Sequence, residues 1–233
     1  MPITVERTTS KYAIWPAWME IDQDQQLGTD LRCTNWIDMQ ELIKNHKDVD
    51  PFLLQKWERI FTLFFDRNAS HNVDWSDFYL VVRRVRDIYG AESVQISYAK
   101  KSMEALWQGL CKLADSDSDQ LISLDEWVNL LKKVDIKQRT EPTWFNDYSN
   151  FMFKLFDVSA DGVLDVAEYT DGMSAYGYKT AECHEAFKLF SRVDKWTCLE
   201  KIPLETWKKL FFEAFFSIDK NAPGNHLFGK INF

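Results

Sequence analysis

No stretch of the sequence gathers Lys and Arg into the dense basic stripe that phosphate contact requires. With a formal net charge of −8, nucleic acid is not an expected partner. The longest basic cluster, Arg83-Arg84-Val85-Arg86, sits among apolar residues and reads as a solvated helix face. No run of about 18 apolar residues occurs, so no integral membrane segment is expected. The first residues, Met1-Pro2-Ile3-Thr4-Val5-Glu6-Arg7, lack the apolar core of a signal peptide, and a cytoplasmic location is the expectation. Cys33, Cys111, Cys183 and Cys198 show neither a CxxC nor any Cys/His ligand spacing, which argues against zinc and against a disulfide framework. They read as reduced, mostly buried thiols. The scattered His46, His71, His184 and His226 have no Ser or Cys nucleophile at a motif spacing, so catalysis has no support and no enzyme is expected. Methionine is sparse, at 6 residues, which speaks against a Met-rich target groove.

What the chain has in quantity is apolar and aromatic surface, 45% hydrophobic with 15% aromatic, enough for a packed core in one or two domains. From about residue 50 the apolar residues recur at helical spacing. Trp57, Ile60, Phe61 and Phe64 form one stripe, and Phe78, Val81, Val82 and Val85 a second, with a mostly polar twelve-residue stretch, 66–77, between them. The unit repeats. Met103, Leu106, Trp107 and Leu110 precede 115–126, and Trp127, Leu130, Leu131 and Val134 follow it. Phe151, Met152, Leu155 and Phe156 precede 157–168, and Tyr169 and Met173 follow. A fourth copy keeps its helical stripes, Ala186, Phe187 and Phe190 before 191–204 and Trp207, Leu210 and Phe211 after, but has lost the acidic loop. The polar run 138–143, with Pro142, marks a connector. The expected organisation is all-α: an extension at 1–49, a first helix-loop-helix pair at 50–137 and a second at 144–233.

Calcium takes six to eight oxygens, and a twelve-residue EF-hand loop supplies them from positions 1, 3, 5, 7, 9 and 12, with Gly favoured at 6. The third loop offers Asp157, Ser159, Asp161, the Val163 carbonyl, Asp165 and Glu168, with Gly162 at the turn. The second offers Asp115, Asp117, Asp119, the Leu121 carbonyl, Ser123 through water, and Glu126, with Gln120 in place of Gly. The first offers Asp66, Asn68, Ser70, the Asn72 carbonyl, Asp74 and Asp77, with His71 at the turn. Glu at position 12 reaches an ion with both oxygens whereas Asp usually gives one, so the first loop suits the smaller magnesium ion or weak occupancy. In the fourth, Pro203 follows Ile202 and Thr206 would take the bidentate place, so metal binding is not expected there. An empty hand still completes a pair through the eighth loop residues: Val73 should meet Ile122, and Leu164 should meet Ile202.

Other suggestive runs fail on spacing. Asp22-Gln23-Asp24 is followed by Leu27 and Thr29 where ligands are needed, and Asp219-Lys220-Asn221 has Lys230 at position 12. Gly172 to Thr180 nearly spells a phosphate loop, but Tyr178 separates Gly177 from Lys179, and a helix stop at Gly177 fits better.

Several runs carry a family resemblance: Phe65-Asp66-Arg67-Asn68, Asp74-Trp75-Ser76-Asp77-Phe78, Trp107-Gln108-Gly109-Leu110, Glu126-Trp127, Asn150-Phe151-Met152-Phe153, Ser174-Ala175-Tyr176-Gly177, and, most specific, Gly224-Asn225-His226-Leu227-Phe228-Gly229. Through them the chain from Trp57 to Phe233 resembles the calexcitin and invertebrate sarcoplasmic calcium-binding protein family. The resemblance implies four hands in a compact fold, three of them metal-binding, with an Asp at position 12 of the first loop, as Asp77 stands here. Ser70 and His71 depart from the acid and Gly common in that family. It implies calcium signalling, with GTP binding and effects on membrane channels proposed for calexcitins, or calcium buffering as in the sarcoplasmic relatives. The expectation is a monomeric intracellular calcium sensor or buffer. The alternative is a luciferin-binding or photoprotein-type relative with a chromophore among its aromatics.

Overall fold

The structure is a computed structural model that describes residues 36–136, 141–174, 178–192 and 197–230. Trp15-Pro16-Ala17-Trp18, Cys33, connector residues 138–140 and the helix stop at Gly177 lie outside them. The elements are α1 (Trp36–Asn45), α2 (Pro51–Ile60), β1 (Asn72–Val73), α3 (Trp75–Tyr89), α4 (Val94–Ala114), β2 (Ile122–Ser123) and α5 (Leu124–Lys132), then α6 (Thr143–Phe156), β3 (Val163–Asp165), α7 (Val166–Ser174), α8 (Thr180–Phe190), β4 (Lys201–Pro203) and α9 (Leu204–Phe216). Among the described residues no helix is long and apolar enough to cross a membrane.

Local chemistry sets the helix ends. Asp50 accepts from the Phe52 N–H and Pro51 opens α2, a pairing that satisfies one free amide and removes another. α2 runs into a π-helical turn, Phe61–Phe65, closed by the Asp66 N–H donating to the Phe61 carbonyl at 2.9 Å. Asp74 and Asp77 form a capping box on α3, and Ser123 and Glu126 form one on α5. The acids at loop position 12 therefore also serve as helix caps.

Each pair of hands is joined by a two-stranded antiparallel ribbon. Val73 stands opposite Ile122, and Leu164 opposite Ile202, all four nearly inaccessible to solvent. The helices bury one face each, and the two pairs share a single hydrophobic core. Trp127 is its hub. The indole packs against Phe61 and Phe65 of the first hand, Trp144 of α6 and Phe215 of α9, with ring centroids between 4.6 and 6.3 Å. Its N–H donates to the Trp57 carbonyl at 3.1 Å, and the Trp57 N–H donates to the Phe215 carbonyl at 2.7 Å. These two buried indoles find acceptors inside the core, whereas the buried Trp144 N–H has none. A void beside this core, lined by residues that include Phe64, Tyr148 and Met152, measures about 10 Å³, room for about one water.

The tail closes the second pair. Its 3₁₀ turn, Pro223–His226, packs on α9, and a Cβ at Gly224 would lie 2.4 Å from the Leu210 carbonyl oxygen. Gly229 has φ +91°, a conformation L side chains rarely adopt. The two glycines of the tail run thus stand where a side chain would clash or strain the backbone.

The segment set apart at 1–49 is in part packed into the first pair. Leu42 of α1 joins the core at 4% exposure, and His46, equally buried, sits 2.8 Å through Nε2 from Asp125 Oδ1 at the start of α5. Asp48 pairs with Lys132. Of the thiols, Cys183 is buried, Cys111 half-buried and Cys198 exposed.

Candidate metal centres

All three acidic loops turn the same way. Position 6 takes positive φ in each, +68° at His71, +64° at Gln120 and +83° at Gly162. Only Gly162 adopts this freely; a non-glycine residue there is strained by about 1 kcal/mol or more. The position-1 carboxylate anchors the turn. Asp66 accepts from the Ser70 and His71 amides, Asp115 from those of Ser118 and Gln120, and Asp157 from those of Asp161 and Gly162, at 2.7 to 3.1 Å.

The second and third loops bring their acids together. Oxygens of Asp115, Asp117 and Glu126 lie within 4.8 Å of one another, as do those of Asp157, Asp161 and Glu168. Asp119 falls outside the first group; its Oδ1 accepts from the Leu121 amide at 2.8 Å. Glu126 is held by both ends of its carboxylate, Oε1 on the amide and hydroxyl of Ser116, Oε2 on those of Ser123, at 2.7 to 3.0 Å. Partial burial opposes its ionisation, but these hydrogen bonds together outweigh burial and hold its pKa below the ordinary value. Glu168 accepts from the Ser159 and Asp165 amides at 2.9 and 3.3 Å. Burial raises the Asp157 pKa, and the neighbouring Glu168 and Asp161 charges push the same way. Like charges held this close favour a cation among them.

The first loop is arranged differently. Among the described residues its acids form no such group. The Ser70 hydroxyl donates to the Asn72 carbonyl at 2.8 Å, so two expected ligands satisfy each other, and the Asn68 amide nitrogen donates to Ser76. Asp77 is buried, at 1% exposure, and accepts from the Arg67, Asn68 and Asp74 amides. Desolvation raises its pKa despite those bonds.

Two contacts lay outside the expected ligand sets. The Ser116 hydroxyl, at position 2, braces Glu126. Lys201 of β4 places Nζ 2.9 Å from Asp161 Oδ2 and holds the Asp161 pKa below its usual range. The pairing of Leu164 with Ile202 already implied a lysine beside the third loop, since it sets residue 201 opposite residue 165.

No family model matches the chain. It is 64% identical over 197 residues to calexcitin-1 of Caenorhabditis elegans, covering 84% of this chain and 96% of that protein. It is 25% identical over 187 residues to sarcoplasmic calcium-binding proteins I, III and IV of Branchiostoma lanceolatum, covering 78% of this chain and 98% of theirs. Among solved structures, an amphioxus sarcoplasmic calcium-binding protein superposes with a TM-score of 0.68 at 24% identity, covering 79% of this chain and all of that one. The photoprotein clytin superposes at 0.55 and 16% identity, covering 75% and 92%, a likeness of fold alone. The 64% identity over most of both chains places this protein in the calexcitin and sarcoplasmic calcium-binding protein family of EF-hand proteins.

Proposed function

We propose that this chain binds calcium at its second and third loops and works in the cytoplasm as a monomeric calcium sensor or buffer, by ion binding and not by catalysis. The observation that carries this is the two groups of three carboxylates, each at the joint of a helix-loop-helix unit with its position-12 glutamate held by backbone amides. In this assignment Asp115, Asp117, Asp119, the Leu121 carbonyl and Glu126 hold one ion, and Asp157, Ser159, Asp161, the Val163 carbonyl and Glu168 another. The first loop, with Asp66, Asn68, Ser70, the Asn72 carbonyl and Asp77, takes magnesium or fills last, since Asp77 is short and Ser70 is turned onto Asn72. Magnesium suits a six-coordinate site with one oxygen from position 12. The third loop, with Gly162 free of the strain at Gln120, fills first.

Photoprotein-like folds keep the chromophore alternative in view, but the void at Phe64, Tyr148 and Met152 admits about one water, and the larger hollow of about 320 Å³ at Trp75, Glu104, Trp107 and Gln108 is an open surface groove and not an enclosed cavity. Calorimetric titration with calcium, with and without magnesium, tests the proposal. Two tight calcium sites and a third weaker, magnesium-competed one are expected. Absence of calcium binding, or tight binding at one site alone, would refute it.

A further inference from the structure

The fourth hand lacks the acids of a metal loop, yet its strand carries a cation to the edge of the third. Lys201 stands directly opposite Asp165 in the ribbon, with Nζ on Asp161 at 2.9 Å. The ribbon of the first pair, Asn72 opposite Ser123 and Val73 opposite Ile122, carries no charge. Asp161 Oδ1 accepts from the Val163 amide, so its second oxygen faces the ammonium. Asp161 belongs with Asp157 and Glu168 to the group of acids this loop brings together, and Asp165 is Lys201's direct partner in the ribbon. The ammonium thus stands at the edge of the loop's carboxylates.

We infer that Lys201 is a tethered counter-cation for the third loop, offsetting its carboxylates when no ion is bound and lowering its calcium affinity by competing for Asp161. This rests on the ligand assignment proposed above. Both partners are half-exposed, 55% and 42%, so the ammonium can swing away from Asp161 without unfolding anything. Its charge stays nearby because β4 is fixed by the ribbon. Water and salt screen such a pair, which limits the effect to about threefold in affinity for loss of the charge and about tenfold for its reversal. On this account the metal-free hand sets the working range of its neighbour.

The test uses the full chain in a Glu126→Gln background, where the third loop dominates the calorimetric signal. Lys201→Met should bind calcium about threefold more tightly than this parent, Lys201→Glu about tenfold, and Lys201→Arg equally. The gaps should shrink in about 1 M KCl, where the Debye length is about 3 Å. Thermal melting supplies a second readout. Lys201→Met should melt lower in chelator, where carboxylate repulsion is no longer offset, and level with its parent in saturating calcium; a merely structural lysine would lower both. Equal affinity across the series, or weaker binding by Lys201→Met, would overturn the inference. Glu168→Gln is the control: if it binds as tightly as the parent, the ligand assignment fails and the inference with it, whereas loss of binding there with a flat Lys201 series sinks the inference alone.

Discussion

Replacing Lys56 with Met should change stability in a pH-dependent way. Lys56 is 2% exposed, and its Nζ donates to the Glu213 and Ser217 carbonyls and to Asn225 Oδ1, each at 2.8 Å, tying α2 to the end of α9 and to the tail. Burial pushes its pKa from 10.5 down to about 7, against a smaller upward pull from the Glu213 carboxylate. Met leaves Ser217 O and Asn225 Oδ1 short of a donor, about 1–3 kcal/mol each, while Glu213 O keeps the Ser217 N–H. Against that, the variant no longer buries an ammonium, a penalty of comparable size, so the net change near pH 7 is small. The pH dependence is the sharper result. Because the folded-state pKa lies below the unfolded value, between about pH 7 and 10 the unfolded chain holds a proton that the folded chain does not. Parent stability therefore rises with pH across that window by up to about 1.4 kcal/mol per unit, and the burial penalty stands in full below it. Cys111 and Cys183, pushed up to about 11, and the raised Tyr169 and Tyr178 act in the opposite sense at higher pH, but both proteins contain them. Urea unfolding of both proteins in excess chelator, from about pH 6 to 9, should show the parent gaining about 2–3 kcal/mol on Lys56→Met between pH 7 and 9. A difference that is flat, or that falls as pH rises, would refute the reasoning.

Glu168→Gln and Glu126→Gln should each remove one calcium-binding event while leaving the helices intact, because a charged bidentate oxygen pair is lost at constant side-chain size; calorimetry and circular dichroism together read this. Calcium at millimolar concentration should raise the melting temperature over that in chelator, by mass action and by offsetting carboxylate repulsion, and an unchanged value would count against metal binding altogether. Trp127→Ala should cost about 3–5 kcal/mol in chemical denaturation, since it empties the core where both pairs meet and strips the Trp57 carbonyl of its indole donor; a loss under about 1 kcal/mol would mean the pairs do not depend on one another.

Helix faces and loop registers were legible in the sequence because periodicity and the twelve-residue spacing are local properties. Val73 against Ile122 and Leu164 against Ile202 followed from position alone, and the pairings stand as expected. What spacing does not carry is the partner of a buried polar group far along the chain. Lys56 reads as an ordinary helical lysine until Asn225 arrives from the tail 169 residues later. The same holds for His46, which belongs to no repeat, yet its partner Asp125 stands beside Glu126. In the first loop the residue types fit a ligand list, but Ser70 and Asn72 spend their polar atoms on each other, a local competition that a list of positions does not reveal. Lys201 lay within reach of inference, since a ribbon with Leu164 opposite Ile202 sets it against Asp165.

Crystals grown in chelator and soaked in limiting calcium test the central claim most directly. Ion density should appear first among Asp157, Asp161 and Glu168, next among Asp115, Asp117 and Glu126, and not at all within 191–204. An ion beside Asp66 while the loop at Asp157 stayed empty would contradict the account.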